Sequence, residues 1–453
     1  MIPDAWRRDD GVVAVVGLGK SGVAATELLA RAGVRVYASD ASDHPYGGDA
    51  LAALRRLDGV MLDVGRHDLA RIRSAVAVIV SPGVPPEAPP LVTAREAGVP
   101  VLSEIDLGFR ALAASGVRSI AITGTNGKTT TTALVAHLLR SAGLRAEAAG
   151  NIGRPLADIA VKGDRYQWLA IEVSSFQLHD SPHFAPDIGI LTNLAPDHLD
   201  RYPAVEAYYA DKQQLFRNAA PSSVWVLNGD EPPVLALAAG AKGRRLLFSL
   251  RGPADGWYDR AERWLRLGHD SLLPRDELKL LGDHNVANAL AAALAVRQAG
   301  VVAEALAQGL RSFRALPHRL EPVREVKGVL WINDSKATNI ASTVVAVEAM
   351  DRPFVLLLGG RHKGEPYTRL GPLLRGKCRL VIAYGESGPL VAQDLSSQVA
   401  LERGGTFEDV IARARRVAQP GDAVLLSPAC SSYDMFKNYE ERGATFRKLV
   451  EAM

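Results

Sequence analysis

The stretch Ser119–Thr130 reads SIAITGTNGKTT and decides the predicted fold. Its first five residues are mostly apolar and β-branched, which predicts a buried strand. The residues that follow, Thr131–Ala142, are rich in alanine and leucine, which predicts a helix. A strand, a glycine-rich loop and a helix in this order predict an α/β domain with a ligand site at the carboxyl end of a strand.

The loop Gly124–Thr130 has the composition of a phosphate-binding loop. Its backbone amides and the positive end of the helix would face the phosphates of a purine triphosphate. Lys128 would reach the terminal phosphates, and the hydroxyl of Thr129 would be a Mg²⁺ ligand. Only two residues separate Gly124 from Gly127, so the loop is shorter than the standard phosphate-loop motif. A turn that only caps the helix is the structural alternative.

A second glycine loop, Gly17–Gly22, follows the predicted strand Val12–Val16 and reads GLGKSG. Asp40 ends the next predicted strand, 18 residues after Gly22, where a carboxylate can accept hydrogen bonds from a ribose. Three interpretations remain open: a nicotinamide dinucleotide, another nucleotide such as a uridine diphosphate, or a structural turn. Two phosphate loops on separate domains favour an ATP-driven enzyme that joins a nucleotide-linked substrate to a second molecule. A dehydrogenase needs only one dinucleotide site.

Apolar β-branched runs alternate with alanine- and leucine-rich stretches along the chain. This alternation predicts an α/β fold with parallel sheets and right-handed crossovers. Changes in the pattern predict three domains, at residues 1–107, 108–315 and 316–453. The stretch Arg244–Leu273 has few helix signals and predicts a small antiparallel addition. The predicted strands include Val12–Val16, Arg35–Ser39, Ala77–Val80, Ser119–Thr123, Trp168–Val173, Ile188–Thr192, Val224–Asn228, Val329–Asn333 and Ala423–Leu426.

Polar residues lie at the ends of predicted strands in the middle of the chain. Glu172 closes a strand, Asn151 lies in a glycine-flanked turn, and His198 lies in the segment Thr192–Tyr202. Strand ends are where open α/β sheets bind ligands, and carboxylate oxygen suits Mg²⁺. The structural alternatives are a buried, paired glutamate and a hydrogen-bonded histidine beside a helix-capping Asp197.

Lys212 lies on a predicted helix. A lysine in that setting is ordinarily a solvated surface residue, and its position alone predicts no function.

Composition excludes several classes of protein. The 453 residues carry 53 basic and 50 acidic side chains, and this small excess with no basic run does not predict a nucleic-acid surface. A hydrophobic fraction of 47% excludes intrinsic disorder. Cys378 and Cys430 have no metal-ligand spacing. The apolar run near the N-terminus is too short for a signal sequence or a membrane span, so we expect a cytoplasmic protein.

Together these motifs resemble those of the Mur ligases, the ATP-dependent amide ligases of peptidoglycan synthesis. The resemblance runs essentially end to end. Further segments that carry it read SPG at 81–83, GDHN at 282–285, LPHR at 316–319, NDSKATN at 333–339, GGRHK at 359–363 and SPACSSYDMFKNY at 427–439. It implies an N-terminal UDP-binding Rossmann-like domain, a central P-loop-like ATP-binding domain and a C-terminal Rossmann-like domain that binds an amino acid.

The resemblance also implies roles for individual residues. For the UDP-linked substrate these are Gly19, Lys20, Ser21, Gly22, Asp40, Gly83, Asn151 and His198. For ATP they are Gly124, Thr125, Asn126, Gly127, Lys128, Thr129, Thr130, Asn285, Arg319 and Asp334. For D-glutamate they are Lys336, Thr338, Lys363, Ser432 and Tyr439. Two Mg²⁺ ions would be held by Thr129, Glu172, His198 and a carbamylated Lys212. The catalytic set is Lys128, Asn151, His198 and Lys212.

The implied activity is ATP-dependent addition of D-glutamate to UDP-N-acetylmuramoyl-L-alanine through an acyl phosphate, giving ADP and phosphate. Such an enzyme would act in the cytoplasm on a peptidoglycan precursor, and so in cell-wall biogenesis, cell shape and cell division. We expect a monomer with no nucleic-acid or membrane partner.

Four alternatives stay open. Another Mur ligase or a folylpolyglutamate synthase would share the short phosphate loop, although a folate ligase has no need of the first glycine loop. An NAD(P)-dependent oxidoreductase rests on Gly17–Gly22 and Asp40 alone. A scaffold gated by ATP would bind the nucleotide through Lys128 and release no phosphate.

Overall fold

The computed structural model describes residues 2–7, 11–43, 45, 48–198 and 201–453. Within them the chain forms three sheets, each flanked by helices, and it is an α/β protein. It divides into two compact units, which are described separately. The first unit comprises Met1–Arg275 and Ala287–Arg311, and the second comprises Asp276–Val286 and Ser312–Met453.

The first sheet has five parallel strands in the order β3-β2-β1-β4-β5. Its strands are β1 (Val12–Val16), β2 (Arg35–Asp40), β3 (Val60–Val64), β4 (Ala77–Val80) and β5 (Val101–Ser103). The helices are α1 (Lys20–Arg31), α2 (Gly48–Leu54), α3 (Leu69–Arg73), α4 (Pro89–Glu96) and α5 (Glu104–Leu112). The strand order reverses between β1 and β4, which places the loop after β1 at a topological switch point, where such sheets bind ligands.

The second sheet has nine strands in the order β14-β13-β12-β11-β10-β9-β6-β8-β7. Its strands are β6 (Arg118–Thr123), β7 (Ala146–Gly150), β8 (Trp168–Glu172), β9 (Ile188–Leu191), β10 (Val224–Asn228), β11 (Arg244–Ser249), β12 (Gly256–Asp259), β13 (Trp264–Leu267) and β14 (Asp270–Pro274). The helices are α6 (Lys128–Ser141), α7 (Leu156–Lys162), α8 (Ser175–His179), α9 (Val205–Gln213), α10 (Pro232–Leu237), α11 (Asp283–Gln298) and α12 (Ala303–Ser312). Because β6 lies between β8 and β9, the residues that follow these three strands meet at one edge of the sheet.

The third sheet has six strands in the order β15-β16-β20-β17-β18-β19. Its strands are β15 (Glu321–Val326), β16 (Val329–Asn333), β17 (Phe354–Gly359), β18 (Cys378–Tyr384), β19 (Leu401–Arg403) and β20 (Ala423–Leu426). The helices are α13 (Ile340–Glu348), α14 (Gly371–Leu374), α15 (Gly388–Leu395), α16 (Phe407–Val417) and α17 (Tyr439–Glu451). Only β15 runs antiparallel to its neighbour among these pairings.

The predicted antiparallel addition is confirmed in part. Strand β13 pairs antiparallel with both β12 and β14, whereas β11 pairs in parallel with β10 and with β12. The edge strands β3 and β7 were not predicted. β7 reads AEAAG, and alanine and glutamate favour a helix unless the neighbouring strand supplies hydrogen bonds.

Candidate functional site

Two glycines shape the phosphate loop that follows β6. Gly124 has a φ of +142°, and a Cβ at this position would lie 2.0 Å from Oγ1 of Thr192. Gly127 has a φ of +82° and caps α6, whose first residue is Lys128. The backbone conformation and the lack of room both exclude larger side chains at these two positions. The loop therefore presents its backbone at the N-terminus of a helix, an arrangement that suits phosphate.

The loop is fastened to the segment that follows β9. The Thr125 hydroxyl donates to the Ala195 carbonyl at 3.1 Å and accepts from the Ala195 amide at 3.0 Å. The Asn126 amide donates to Oδ1 of Asn193 at 2.8 Å. Thr129 and Thr130 are half-buried in the first turn of α6. These contacts hold the loop in one conformation.

Two lysine amines converge on one loop oxygen. Nζ of Lys212, on α9, donates to the carbonyl of Gly124 at 2.7 Å. Nζ of Lys128 donates to the same carbonyl at 2.9 Å and to the carbonyl of Thr125 at 2.7 Å. The ring of Tyr208 lies 4.6 Å from Nζ of Lys212. The structure thus brings Lys212 to the phosphate loop, and its interpretation as a surface lysine is wrong.

The environment of Lys212 disfavours its protonated form. The residue is 1% exposed, and burial lowers its pKa well below the ordinary lysine value. The charge of Lys128 lowers the pKa further, while Asp197, Asp211 and Glu172 oppose the shift. An amine with a lowered pKa is a better nucleophile near neutral pH, because more of it is unprotonated.

Glu172 is buried at the end of β8, beside the phosphate loop. It is 2% exposed, and its Oε1 accepts from the side-chain amide of Asn151 at 2.8 Å. Its Oε2 is buried and has no hydrogen-bond partner among the described residues. A buried carboxylate oxygen without a donor is costly unless a ligand completes it. The structure therefore pairs Asn151 with Glu172 and leaves one oxygen available to a cation.

His198 lies in a strained turn among aromatic rings. Its φ is +54°, an uncommon value for a residue other than glycine. Its ring centroid lies 5.3 Å from that of Phe176 and 6.1 Å from that of Tyr208. Its Nε2 lies 3.7 Å from Oδ2 of Asp197. Residues 199–200, part of the same predicted motif, lie outside the described residues.

The donor set around the loop fits Mg²⁺ better than a softer metal. No three His, Cys, Asp or Glu side chains are gathered as a metal cluster in the described part of the chain. What the loop offers is the hydroxyl of Thr129 and the unpartnered oxygen of Glu172. Mg²⁺ ordinarily uses one or two such oxygens and completes its shell with phosphate and water.

The Asp40 carboxylate, at the end of β2, holds the backbone of the first glycine loop. It accepts from the amide of Leu18 at 2.6 Å and from that of Ser42 at 2.8 Å. The Ser81 hydroxyl, after β4, donates to the carbonyl of Gly17 at 2.8 Å. Asp40 therefore ties the loop after β1 to the loop after β2, which sequence reasoning did not foresee. The other predicted residues of this site lie in the loop after β1, at the start of α1 or after β4: Gly19, Lys20, Ser21, Gly22 and Gly83.

A cavity of about 160 Å³ opens beside this loop, inside the first unit. Ser81 and Pro82 line it from the first sheet, and Phe176, Arg201 and Tyr202 line it from the second. The ring of Tyr202 stacks on Phe176 at 5.2 Å, and the guanidinium of Arg201 lies 5.3 Å from the same ring. An aromatic wall with an arginine beside a nucleotide loop suits an anionic ligand with apolar parts.

In the second unit, Asp334 is buried at the end of β16. Its Oδ1 accepts from the amide of Leu320 at 3.1 Å, and its Oδ2 accepts from the hydroxyl of Ser427 at 2.8 Å. Burial raises its pKa to about 7, although these hydrogen bonds and Arg319 oppose the shift. Asn285, also in this unit, is buried and donates to the Leu281 carbonyl at 2.8 Å.

The residues predicted to bind the amino-acid substrate are spread over three segments of the second unit. Nζ of Lys336 lies 3.2 Å from the hydroxyl of Tyr439 and 5.0 Å from the centre of its ring. The amide of Thr338 donates to the carbonyl of Lys336 at 2.9 Å. Ser432 is buried, whereas Lys363 is exposed. The structure brings Lys336 and Tyr439 together directly.

Sequence reasoning missed Tyr208 and Tyr202 as parts of the site. The Tyr208 hydroxyl donates to Oγ1 of Thr125 at 3.2 Å, which links α9 to the phosphate loop. Its spacing of four residues from Lys212 on a predicted helix was the available signal, because such residues share a face. The sequence marks Tyr202 only as the end of the segment Thr192–Tyr202, since its stacking on Phe176 depends on the tertiary fold.

No helix among the described residues is long and apolar enough to cross a membrane.

Three protein families match successive parts of the chain. The N-terminal domain of MurD-like Mur ligases matches residues 11–103, and the Mur ligase middle domain matches residues 122–296. The Mur ligase glutamate ligase domain matches residues 318–430.

The chain is also similar to curated proteins over its whole length. It is 44% identical to the UDP-N-acetylmuramoylalanine--D-glutamate ligase of Salinibacter ruber, with 100% of each chain covered. It is 41% identical to the ligase of the same name from Anaeromyxobacter dehalogenans, with 97% of each covered.

Two solved structures share the fold. A pseudomurein peptide ligase type C from Methanothermus fervidus gives a TM-score of 0.61 at 18% identity, covering 98% of this chain and 99% of that one. UDP-N-acetylmuramate-alanine ligase MurC from Thermotoga maritima gives 0.60 at 20% identity, covering 97% and 99%.

Proposed function

The chain belongs to the Mur ligase family, and from this premise we propose that it joins D-glutamate to UDP-N-acetylmuramoyl-L-alanine at the expense of ATP. The observation that carries the proposal is the end-to-end similarity to enzymes that bear this activity in their names. Lys128, Lys212 and the buried Glu172 lie around the phosphate loop, at the carboxyl ends of the parallel strands. This arrangement supports the phosphoryl-transfer half of the reaction.

Each of the three predicted domains would bind one of the three substrates. Residues 1–107 bind the UDP-linked substrate, residues 108–315 bind ATP, and residues 316–453 bind the amino acid. The order of the three matching families along the chain supports this division.

In the first step, a carboxylate oxygen of the nucleotide substrate attacks the γ-phosphorus of ATP. The bond to the bridging oxygen of ADP breaks, and an acyl phosphate forms. Two anions must approach each other, so positive charge at the loop is needed. Lys128 supplies it by turning its amine from the loop carbonyls toward the transferring phosphate. The backbone of Gly124–Thr130 holds the remaining phosphate oxygens.

Thr129 and Glu172 are the residues that would hold one Mg²⁺ ion, and His198 and Lys212 a second. Bound Mg²⁺ would supply neutralisation of phosphate charge. The unpartnered Oε2 of Glu172 supports this assignment.

Lys212 becomes an anionic oxygen ligand only if it is carbamylated. Its unprotonated Nζ would attack the carbon of CO₂ and form an N–C bond. One C–O π bond would open with its electron pair moving onto oxygen, and the nitrogen would lose a proton to water, which leaves a carbamate anion. The buried position and the lowered pKa of Lys212 support this modification, because the reacting form is the free amine. Arginine cannot replace lysine here, since its guanidinium stays protonated.

The UDP-linked substrate would occupy the first glycine loop and the neighbouring cavity. The N-terminus of α1 would face its phosphates, and the cavity wall of Phe176, Arg201 and Tyr202 would face its sugar. Gly83 adjoins the cavity residue Pro82, and Asn151 is held by Glu172. This arrangement supports delivery of the carboxylate to the phosphate loop.

In the second step, the amine of D-glutamate attacks the carbonyl carbon of the acyl phosphate. The tetrahedral intermediate collapses, an amide bond forms and phosphate leaves with the electron pair of the broken C–O bond. His198 could accept the amine proton through its imidazole. The carboxylates of D-glutamate would be held by Lys336, Thr338, Lys363, Ser432 and Tyr439. Asn285, Arg319 and Asp334 of the second unit would contact ATP.

We further propose that the enzyme works as a monomer in the cytoplasm, where it would supply cell-wall biogenesis. The near-neutral net charge supports a small-molecule rather than a nucleic-acid partner.

The test is phosphate release from ATP and Mg²⁺ with UDP-N-acetylmuramoyl-L-alanine, with and without D-glutamate. L-glutamate, meso-diaminopimelate and L-lysine are tested in parallel. The proposal predicts release that requires the nucleotide substrate and D-glutamate together. Release with another amino acid would contradict the substrate, and no release with ATP still bound would favour the scaffold.

A further inference from the structure

Arg442 is a buried cation of the second unit that bonds to segments bearing the residues predicted to bind D-glutamate. It lies on α17, three residues after Tyr439, and its side chain is fully buried. Its Nε donates to the hydroxyl of Ser335 at 2.9 Å. Its Nη2 donates to the carbonyls of Ser335 at 2.8 Å and Cys430 at 3.1 Å. All these acceptors are uncharged, which is unusual because buried charges are ordinarily paired.

The third nitrogen of Arg442 faces another segment of the same site. Nη1 is buried and has no hydrogen-bond partner among the described residues. A Cβ built on Gly360 would lie 3.2 Å from it. Gly360 lies three residues before Lys363, so the guanidinium lies beside the loop that carries this lysine.

One guanidinium therefore bonds to two of the segments that carry the residues predicted to bind the amino acid, and it lies beside the third. Ser335 precedes Lys336, Cys430 lies two residues before Ser432, and Gly360 leads to Lys363. Tyr439 lies on the same helix as Arg442. It is also linked to the Ser335 segment, because the Ser335 hydroxyl donates to the Tyr439 carbonyl at 2.8 Å.

We infer that Arg442 is the positioning residue of the amino-acid site: its planar fork sets the spacing of the segments that bear Lys336, Lys363, Ser432 and Tyr439. The inference rests on the proposed function, since it assumes that these residues bind the amino acid. A lysine could keep the charge but could not make the three directed bonds of the fork. Displacing binding groups by about 1 Å can reduce the rate on the order of 100-fold.

The test compares Arg442→Met, Arg442→Lys and Ser335→Ala with the matched control Lys448→Met, which removes one positive charge from an exposed position of the same helix. Phosphate release gives kcat and the KM values for ATP, UDP-N-acetylmuramoyl-L-alanine and D-glutamate. We expect Arg442→Met to raise the KM for D-glutamate by about 10- to 100-fold. The other two KM values should stay close to those of the parent, and Arg442→Lys should not restore the D-glutamate KM.

The control should match the parent, and Ser335→Ala should show a smaller rise confined to D-glutamate. If Arg442→Met does not fold, Ser335→Ala and Arg442→Lys decide the question. Three KM values that rise together, or full rescue by lysine, would overturn the inference. A parent enzyme that releases no phosphate with D-glutamate would overturn the proposed function itself, and the inference with it.

Discussion

Lys128 and Lys212 donate to the same acceptor, the backbone carbonyl of Gly124, at 2.9 and 2.7 Å. Two ammonium groups at one oxygen repel each other, and the buried one yields its proton more readily. Burial and Lys128 both lower the pKa of Lys212. This shared acceptor supports the two proposed roles, in which Lys128 is the cation that turns toward phosphate and Lys212 is the amine that is carbamylated.

Replacing Lys128 with methionine removes the cation from the phosphate loop and leaves the first sheet untouched. We expect kcat for phosphate release to fall by about 10²- to 10³-fold, because charge on the transferring phosphate loses a preorganised donor. Affinity for UDP-N-acetylmuramoyl-L-alanine, measured by calorimetry, should persist. Lys162→Met, at an exposed position of α7, is the control. Near-normal turnover of the Lys128 variant would contradict the role of the loop.

The proposed carbamylation of Lys212 can be tested directly. In ¹³C-bicarbonate at slightly alkaline pH, the parent protein should show a carbamate carbon signal by ¹³C NMR, because burial lowers the pKa of the amine and so favours its reactive form. Lys212→Arg should lose this signal and most phosphate release, whereas the exposed-site variant Lys448→Arg should keep both. A signal unchanged in Lys212→Arg would assign the carbamate to another group.

Glu172→Gln tests the Mg²⁺ assignment against a second buried glutamate. Glu104 is 1% exposed and, like Glu172, has an Oε2 with no partner in the described residues. The Glu172→Gln substitution replaces an anionic oxygen ligand with a neutral amide, so the Mg²⁺ concentration for half-maximal activity should rise about 10-fold or more. Glu104→Gln should leave that concentration unchanged. An equal response of both variants would contradict a specific cation site at Glu172.

Glu104 itself makes folding stability depend on pH. Its Oε1 accepts from the amide of Ala157 at 2.6 Å, yet burial raises its pKa from 4.5 to about 7. The contribution of Glu104 to the free energy of unfolding is complete below pH 4.5 and is lost as pH rises through about 7. The reason is that the folded protein keeps a proton on Glu104 in a pH range where the unfolded chain has released it. Relative to Glu104→Gln, the parent should lose about 3 kcal/mol of unfolding free energy between pH 4.5 and pH 8. Urea unfolding at both values measures this difference, and a pH-independent difference would contradict it.

Much of the fold could be predicted because its central strands are continuous apolar runs. β1, β4, β10, β16 and β20 have the predicted bounds. Helix α6 begins at Lys128 and not at the predicted Thr131, since loop and helix share the residues that face the phosphate. Edge strands such as β3 are half-exposed, so their sequence carries a weaker signal.

The sequence could predict residues of the candidate site, but it could not predict which of them contact each other. Strand-end position predicted Glu172, yet its bond to Asn151 joins residues 21 apart and depends on the pairing of β7 with β8. Burial of Lys212 had no signal in the chain's periodicity, because the helix α9 is only weakly amphipathic. The contacts of Arg442 had no sequence signal either, since the guanidinium bonds to Ser335 and Cys430 and lies beside the Gly360 loop only in the folded chain.

The most direct test of the proposed ligase is the identity of its product. The enzyme is given ATP, Mg²⁺, UDP-N-acetylmuramoyl-L-alanine and an equimolar mixture of deuterium-labelled D-glutamate, unlabelled L-glutamate, meso-diaminopimelate and L-lysine. Mass spectrometry of the nucleotide products should show one new species, heavier by labelled glutamate less one water. A new species that carries an unlabelled or different amino acid, or no new species while ATP is bound, would contradict the account.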